Sequence, residues 1–254
     1  MRIQTQDERE LLLASGRVLA SVVRAVAARA VLGVSTEELE AETRRRIESA
    51  DATPAFLGYK PQGASRSYPA ALCTSINEEV VHGIPNESPR ILTDGDIITV
   101  DAGVTLDGFV TDMAITVPVG RVDQAGRRLI AAAEEALAVA IATARAGKTT
   151  GDIGHAVEEV ARRYGFSVPR ELGGHGVGKH VHEDPFVPNF GKPATGEVLV
   201  PGMVLAIEPI IIEGGGAVRI LADGYTYVTK DGSRSAQFEH TIIVTEGEPE
   251  IVTR

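Results

Sequence analysis

Two aspartates, Asp101 and Asp112, fall inside apolar, strand-like runs: Ile97-Ile98-Thr99-Val100-Asp101 and Phe109-Val110-Thr111-Asp112. Asp107-Gly108 separates the runs, and such a pair between β-type segments is a strong two-residue hairpin signal. With that turn, Leu106 faces Phe109 and Asp101 pairs with Ala114. Asp112 lies two residues from Ala114, so both carboxylates share one sheet face in the diagonal cross-strand relation. A bulge would change this register. One such aspartate reads as a water-facing edge residue. Two buried together repel and titrate abnormally unless something positive lies between them, and a divalent cation meets that demand.

The second half offers matching groups. Glu208 ends the apolar run Leu205-Ala206-Ile207 just before Pro209, and Glu239 sits in Ala236-Gln237-Phe238-Glu239-His240-Thr241-Ile242-Ile243. Either alone fits an ion pair with an arginine; together with the aspartates they form a four-carboxylate set. His175 lies in Gly173-Gly174-His175-Gly176-Val177-Gly178, where glycines let backbone approach another group closely. His182 follows, and His82 stands in Val80-Val81-His82-Gly83-Ile84-Pro85. Each histidine taken singly also fits a structural role. Imidazole with carboxylates suits Mn, Fe, Co or Zn.

Other chemistries fail on particular residues. The 173–179 stretch nearly matches a phosphate-binding loop, but His180 stands where Ser or Thr should hold magnesium, and Pro185 and Pro188 block the helix that should follow. His182-Glu183 begins like a zincin motif, yet Phe186 occupies the second histidine position. Asp101-Ala102-Gly103 has no second copy to form an aspartic dyad. There is no Gly-x-Ser-x-Gly elbow. Cys73 is the single cysteine, which excludes an intramolecular disulfide and a thiolate zinc cluster; without a basic neighbour it reads as a packed thiol.

These residues need a scaffold, and its elements are visible. Thr5 with Glu8 forms a capping box ahead of an apolar helical pattern from Leu11 to Gly33, and Ser35 with Glu38 opens a second helix over 36–50. An Ala-rich helix over 124–146 ends at Gly147, and Thr149-Thr150 cap another that stops at Gly165. Shifting the first half by 114 positions lays Gly33 on Gly147, Ser35 on Thr149, Thr36 on Thr150 and Leu39 on Ile153. A β-rich block follows each helical pair, so two similar halves share one core. Strands are expected over 96–104, 109–117 and 203–209. Two more, over 225–229 and 236–244, flank a second turn near Asp231-Gly232. Helices and hairpins are segregated, which predicts an α+β fold with a largely antiparallel sheet, residues 1–254 forming one domain.

Composition agrees. Hydrophobic residues make up 43% of the 254, enough for a sizeable core, while aromatics are 4% with no Trp, so Ala, Val, Ile and Leu must fill it. A net charge of -10 argues against broad nucleic-acid binding, and Arg44-Arg45-Arg46 reads as a solvated helix face. The N-terminus lacks a signal-peptide profile, and no apolar stretch approaches a membrane span. The expectation is a soluble cytoplasmic protein.

Taken in order, five segments resemble type I methionine aminopeptidases of the bacterial kind across nearly the whole chain. They are Leu72-Cys73-Thr74-Ser75-Ile76-Asn77-Glu78-Glu79-Val80-Val81-His82-Gly83-Ile84-Pro85; the hairpin with Asp101 and Asp112; Gly174-His175-Gly176-Val177-Gly178 through His182-Glu183-Asp184-Pro185; Gly202-Met203 through Glu208-Pro209; and Ser235-Ala236-Gln237-Phe238-Glu239-His240-Thr241. The resemblance implies the pita-bread fold, with two pseudo-symmetric halves around a central site. It implies two divalent metals held by Asp101, Asp112, His175, Glu208 and Glu239, with Asp112 and Glu239 bridging. It places His82 and His182 beside the scissile amide, and Phe56, Tyr59, Tyr68 and Tyr225 at the substrate pocket. Asn77, Glu79 and Ser235 match positions that bind a monovalent cation.

The implied reaction removes the initiator methionine from nascent polypeptides whose second residue is small. A bridging water or hydroxide attacks the first peptide bond, with His82, His182 and Glu208 as catalytic groups. A monomer that meets its substrates at the ribosome is expected. The rivals are a prolidase or aminopeptidase P, and a non-catalytic pita-bread binding module. Three features depart from the family pattern: a long link over 60–67, Val181 where an aromatic is common, and Tyr225 where Trp is frequent. All three bear on the shape of the pocket.

Overall fold

The computed structural model describes residues 1–61 and 63–254; Gln62, inside the 60–67 link, lies outside them. Helices α1 (Gln6–Arg29) and α2 (Thr36–Glu48) come first. Strands β1 (Thr53–Pro54), β2 (Leu72–Ile76), β3 (Glu79–Val81), β4 (Ile97–Leu106) and β5 (Phe109–Pro118) follow. The second half repeats the plan: α3 (Gln124–Thr143) and α4 (Thr150–Tyr164), then β6 (Gly173–Gly176), β7 (Glu183–Pro188), β8 (Val204–Ile207) and β9 (Ile210–Ile212). It closes with β10 (Val218–Ile220), β11 (Tyr227–Thr229), β12 (Ser235–Gln237), β13 (His240–Ile243) and β14 (Glu250–Ile251).

The capping boxes form as the sequence predicts. Thr5 Oγ1 accepts from Glu8 N while the Glu8 carboxylate accepts from Thr5 N, and Ser35 with Glu38 repeats the exchange. Three helix ends fall short of the expected ones: α1 stops at Arg29 rather than Gly33, α2 at Glu48 rather than Ala50, and α3 at Thr143 rather than Ala146. The chain must leave α1 and α3 early because both glycines pair outward. Gly33 N donates to Leu92 O, and Gly147 N donates to Leu199 O.

Those two bonds belong to a repeated set. Thr36 N donates to Arg90 O and Thr150 N to Glu197 O; Leu92 N returns to Val34 O and Leu199 N to Lys148 O. Further on, Gly95 N donates to Val119 O and Gly202 N to Val244 O. The two halves thus share hydrogen bonds residue by residue. Continuing from Gly95 and Gly202 along β4 and β8 brings Asp101 into register with Glu208.

Every strand pairing among the described residues is antiparallel. β4 lies between β2 and β5, and Asp101 opposes Ala114, as the turn dictates. In the second half the order is β14-β13-β8-β6-β7. The halves are stitched along β5: Asp112 N donates to Thr241 Oγ1, Thr241 Oγ1 donates to Asp112 O, and Glu239 N donates to Ala114 O.

The expected hairpin between 225–229 and 236–244 does not form. β11 pairs with β10 and β3, and β12 pairs with β9. The turn itself exists, with Asp231 Oδ1 accepting from Ser233 N at 3.0 Å. Asp231 Oδ2 instead draws in Gly215 N, and Glu213 N donates to Arg234 O, so the flanking strands are led to different partners.

Each half has a hydrophobic cluster largely its own. Val23, Leu39, Ile98 and Val100 lie in one; Leu129, Ala136, Ala140 and Ile211 lie in the other, all fully buried. Two further clusters join the halves, one packing Phe109 with Val204 and Ile243 and the other Val81 with Ile210. Alanines along α3 admit close helix–sheet packing, which compensates for scarce aromatics. Truncating Leu129 to Ala there costs about 2–5 kcal/mol. By length and composition α1 is apolar enough to cross a membrane, with mean hydropathy 1.7 over 18 residues, contrary to the sequence expectation. Its buried face, including Leu19, Val22, Val23 and Val26, instead packs on β4 and β5.

Candidate metal centre

The cleft between the halves is lined by all four carboxylates, Asp101, Asp112, Glu208 and Glu239, together with His175, His82 and His182. Asp101 and Asp112 leave the same face of the β4–β5 ladder, where Asp112 opposes Gly103. Glu208 follows the last residue of β8, where Pro209 interrupts the strand, and Glu239 sits in the break between β12 and β13. His175 comes from β6. The glycines around it are required by close approach: a Cβ on Gly174 would lie 2.3 Å from Ala206 O and one on Gly176 2.2 Å from Asp184 O.

Donor atoms of Asp112, His175 and Glu239 all lie within 4.8 Å of one another. His175 Nε2 is 3.6 Å from Glu208 Oε1. The His175 Nδ1 is 2.9 Å from the Gly176 carbonyl, which can only accept, so Nδ1 carries the proton and Nε2 presents its lone pair to the cleft. Asp101 Oδ1 and Glu239 Oε1 are buried without a hydrogen-bond partner among the described residues. Such orphaned carboxylate oxygens are costly in a folded interior unless a cation takes them.

Titration reflects the same crowding. Burial pushes the Asp101 carboxyl up to about 7. Burial, reinforced by neighbouring carboxylates, raises Asp112, Glu208 and Glu239 well above the usual range. Burial lowers His175 to about 3 and His82 to about 4, with His182 nearby adding to both. Acids held protonated and histidines held neutral are a cation-ready set, because a bound cation favours the carboxylate form and needs neutral imidazole.

The histidines outside the donor cluster line its approaches. His182 faces the open cleft with its ring centroid 4.4 Å from that of His175, and its Nδ1 is 2.8 Å from the Tyr59 hydroxyl. His82 has a left-handed backbone, φ 60°, and its ring packs edge-on to Tyr227. A non-glycine residue held there is a strained feature of the kind that clusters at functional sites. Phe56, Tyr59, Tyr68 and Tyr225 form the apolar end of the cleft, with Val181. Asn77, Glu79 and Ser235 are gathered away from the carboxylates: Asn77 O accepts from Ser235 N at 2.9 Å and Glu79 O from Ser235 Oγ at 3.0 Å.

Two residues at the site, Gln237 and Thr241, escape a sequence reading. Gln237 Nε2 donates to Glu208 Oε2 at 2.9 Å, with its own Oε1 buried and unpartnered among the described residues. Thr241 pins the backbone of Asp112, as described above. Cys73 opposes Asp101 across β2–β4 and lines the cleft; its thiol is pushed well up by burial, in keeping with a packed thiol. The repeat, extended along β4 and β8, is the signal that relates Asp101 to Glu208.

A profile described as metallopeptidase family M24 matches residues 10–246. The chain belongs to that family. Within it, the chain is 43% identical over 257 residues to the methionine aminopeptidase of Aquifex aeolicus, covering 100% of this chain and 98% of that protein. A crystal structure of methionine aminopeptidase from Thermotoga maritima superposes with a TM-score of 0.94 at 41% identity, covering 100% of this chain and 99% of the other. This member of the family therefore groups with the methionine aminopeptidases and is a hydrolase. The prolidase of Pyrococcus furiosus, at 21% identity and TM-score 0.74, shares the fold; this chain is covered to 99% and spans 65% of that one. The M24 fold is the pita-bread fold, and its two related halves are those described here.

Proposed function

We propose that this M24 member removes N-terminal methionine from nascent polypeptides in the cytoplasm, the whole chain acting as one catalytic unit at a dinuclear metal centre. The observation that carries this reading is the convergence of five donors from both halves, four of them buried and two with orphaned oxygens, beside an aromatic pocket. Asp101, Asp112, His175, Glu208 and Glu239 would hold two ions of Mn, Fe, Co or Zn, with Asp112 and Glu239 shared. When bound, such ions supply a water acidic enough to act as nucleophile and polarise the scissile carbonyl.

The chain's own groups do the rest. Glu208, steadied by Gln237, would accept a proton from the attacking water. His182 presents its free ring edge to the cleft, where it can donate to the oxygen on which charge develops. His82, neutral and half-buried, would stand beside the departing amine. Phe56, Tyr59, Tyr68 and Tyr225 enclose the methionine side chain. The adjacency of Asn77, Glu79 and Ser235 supports a monovalent cation near their backbone oxygens. The proposed working form is a monomer meeting its substrates at the ribosome.

The residue after methionine must fit between the carboxylates and the wall bearing His82 and His182. Gly, Ala and Ser fit; Leu, Lys and Arg overpack a rigid site by about 1–3 kcal/mol, which corresponds to roughly tenfold to more than hundredfold discrimination. Release of methionine from Met-Ala-Ser and Met-Arg-Ser, compared with cleavage of an X-Pro peptide, tests the assignment. Preference for Met-Ala-Ser is expected. Equal cleavage of the first two, or preference for X-Pro, overturns it.

A further inference from the structure

Tyr59, Pro61 and Tyr68 line the cleft, and the link between the two tyrosines is long. Among its described residues, Arg66 makes ties to two other loops. Its guanidinium pairs with both carboxylate oxygens of Glu87, Nη2 lying 2.7 Å from Oε2, and its Nε donates to Asp223 O at 3.2 Å. Its own carbonyl accepts from the Tyr225 hydroxyl at 2.5 Å, and the guanidinium carbon lies 5.9 Å from the Tyr225 ring centroid. Asp223 is fixed in turn, since Oδ1 accepts from Tyr225 N at 2.8 Å and from Thr226 N at 2.9 Å. Tyr225 then stands edge-on against Tyr68, with centroids 5.1 Å apart.

We propose that Arg66 is a positioning residue for the pocket that takes the first side chain of the substrate. It acts through Tyr225, by clasping the 63–67 and 221–226 segments so that Tyr225 is held against Tyr68. This rests on the reading of the cleft as a methionine-releasing site. Arg66 and Glu87 are 38% and 40% exposed, and a simple surface pair of that kind contributes little. This one differs in geometry. It is bidentate, and the same residue adds a backbone acceptor on Asp223 and a carbonyl that anchors the phenol. Without the clasp Tyr225 loses a fixed partner for its hydroxyl, and the wall it forms can move outward. A wider wall weakens the fit of an unbranched methionine side chain and admits branched ones. The carboxylates come from β4, β5, the end of β8 and the break between β12 and β13, none of which carries Arg66, Glu87 or Asp223, so the chemical step should change little.

The test compares Arg66→Ala, Glu87→Arg and the charge-swapped pair R66E/E87R with wild type in the metal-loaded enzyme, using Met-Ala-Ser and Leu-Ala-Ser. Arg66→Ala should raise KM for Met-Ala-Ser about two- to fivefold with kcat within about twofold, and should lower the Met-over-Leu ratio of kcat/KM by a similar factor. The charge swap should recover part of both losses, whereas Glu87→Arg alone should not. Added salt should raise the wild-type KM and leave that of Arg66→Ala unchanged. Unchanged KM and unchanged Met-over-Leu ratio in Arg66→Ala, with active wild type, overturn this inference alone. A fall in kcat together with metal content also overturns it, since Arg66 would then support the fold. Wild type that releases no methionine overturns the reading of the reaction and takes this inference with it.

Discussion

The two halves of the molecule build related sheets but deliver their carboxylates differently. In the first, β4 and β5 run unbroken for ten residues each, and Asp101 and Asp112 project from a regular ladder. In the second, β8 stops after Ile207, and the segment bearing Glu239 is broken between Gln237 and His240. Two aspartates on one continuous face need only a hairpin turn to bring them together. The two glutamates stand at interruptions, so a longer side chain and a local departure from β-geometry bring them to the same cleft. A repeat that has diverged in this way keeps one half as a rigid floor. The other half supplies groups whose positions depend on Pro209, Gln237 and contacts made across the interface.

The sharpest way to break that contrast is to neutralise a proposed ligand on the rigid side. Asp112→Asn keeps shape and hydrogen-bonding but removes the charge that would be shared between ions. Its metal content should collapse and its activity should fall at least about a hundredfold, beyond the 10–100-fold typical of outer-shell changes. Metal analysis alongside kcat/KM checks this; full occupancy would show that Asp112 is not a ligand.

His182→Ala should follow a different pattern, with kcat reduced about a hundredfold or more and metal content near wild type. Metal loss in this variant would mean that His182 belongs with the donors. Gln237→Leu probes the irregular side more gently. Removing its amide frees Glu208, and activity or metal affinity should drop about tenfold to a hundredfold. No change in either would leave Glu208 positioned by the fold alone.

The smallest effect concerns stability in metal-free protein. Asp101 is raised to about 7 by burial, and burial with neighbouring carboxylates raises Asp112, Glu208 and Glu239 well above the usual carboxylate range. The unfolded chain releases these protons near pH 4, so above that the folded state binds more protons and stability falls as pH rises. His175 and His82, lowered to about 3 and about 4, act in the opposite sense, but only below the unfolded histidine value of about 6.5. The metal-free protein should therefore melt lower at about pH 8.5 than at about pH 6.5, and divalent metal should raise Tm most at the higher pH. A Tm independent of pH over that window would contradict the crowding of protonated carboxylates.

How far the sequence could be read follows the same divide. The β4–β5 register is legible because Asp107-Gly108 admits few turns and fixes every cross-strand pair after it. Glu208 and Glu239 stand out as charges in apolar runs, and His175 by its glycines. Gln237 and Thr241 do not stand out, since their roles arise from contacts between segments far apart in the chain. The strands flanking Asp231 mislead for the same reason: the turn is local, but Asp231 also bonds to Gly215, and pairing is decided there. Glycines mark the helix ends only loosely, because Gly33 and Gly147 are recruited to β-type bonds after the helices have ended.

The most direct measurement is a metal titration of protein first stripped with chelator and verified empty, following methionine release from Met-Ala-Ser and bound metal together. Activity should be absent at the start and return with Mn, Fe, Co or Zn, binding should reach two ions per chain, and Asp112→Asn should recover neither. Full activity in verified metal-free protein would contradict the metal centre.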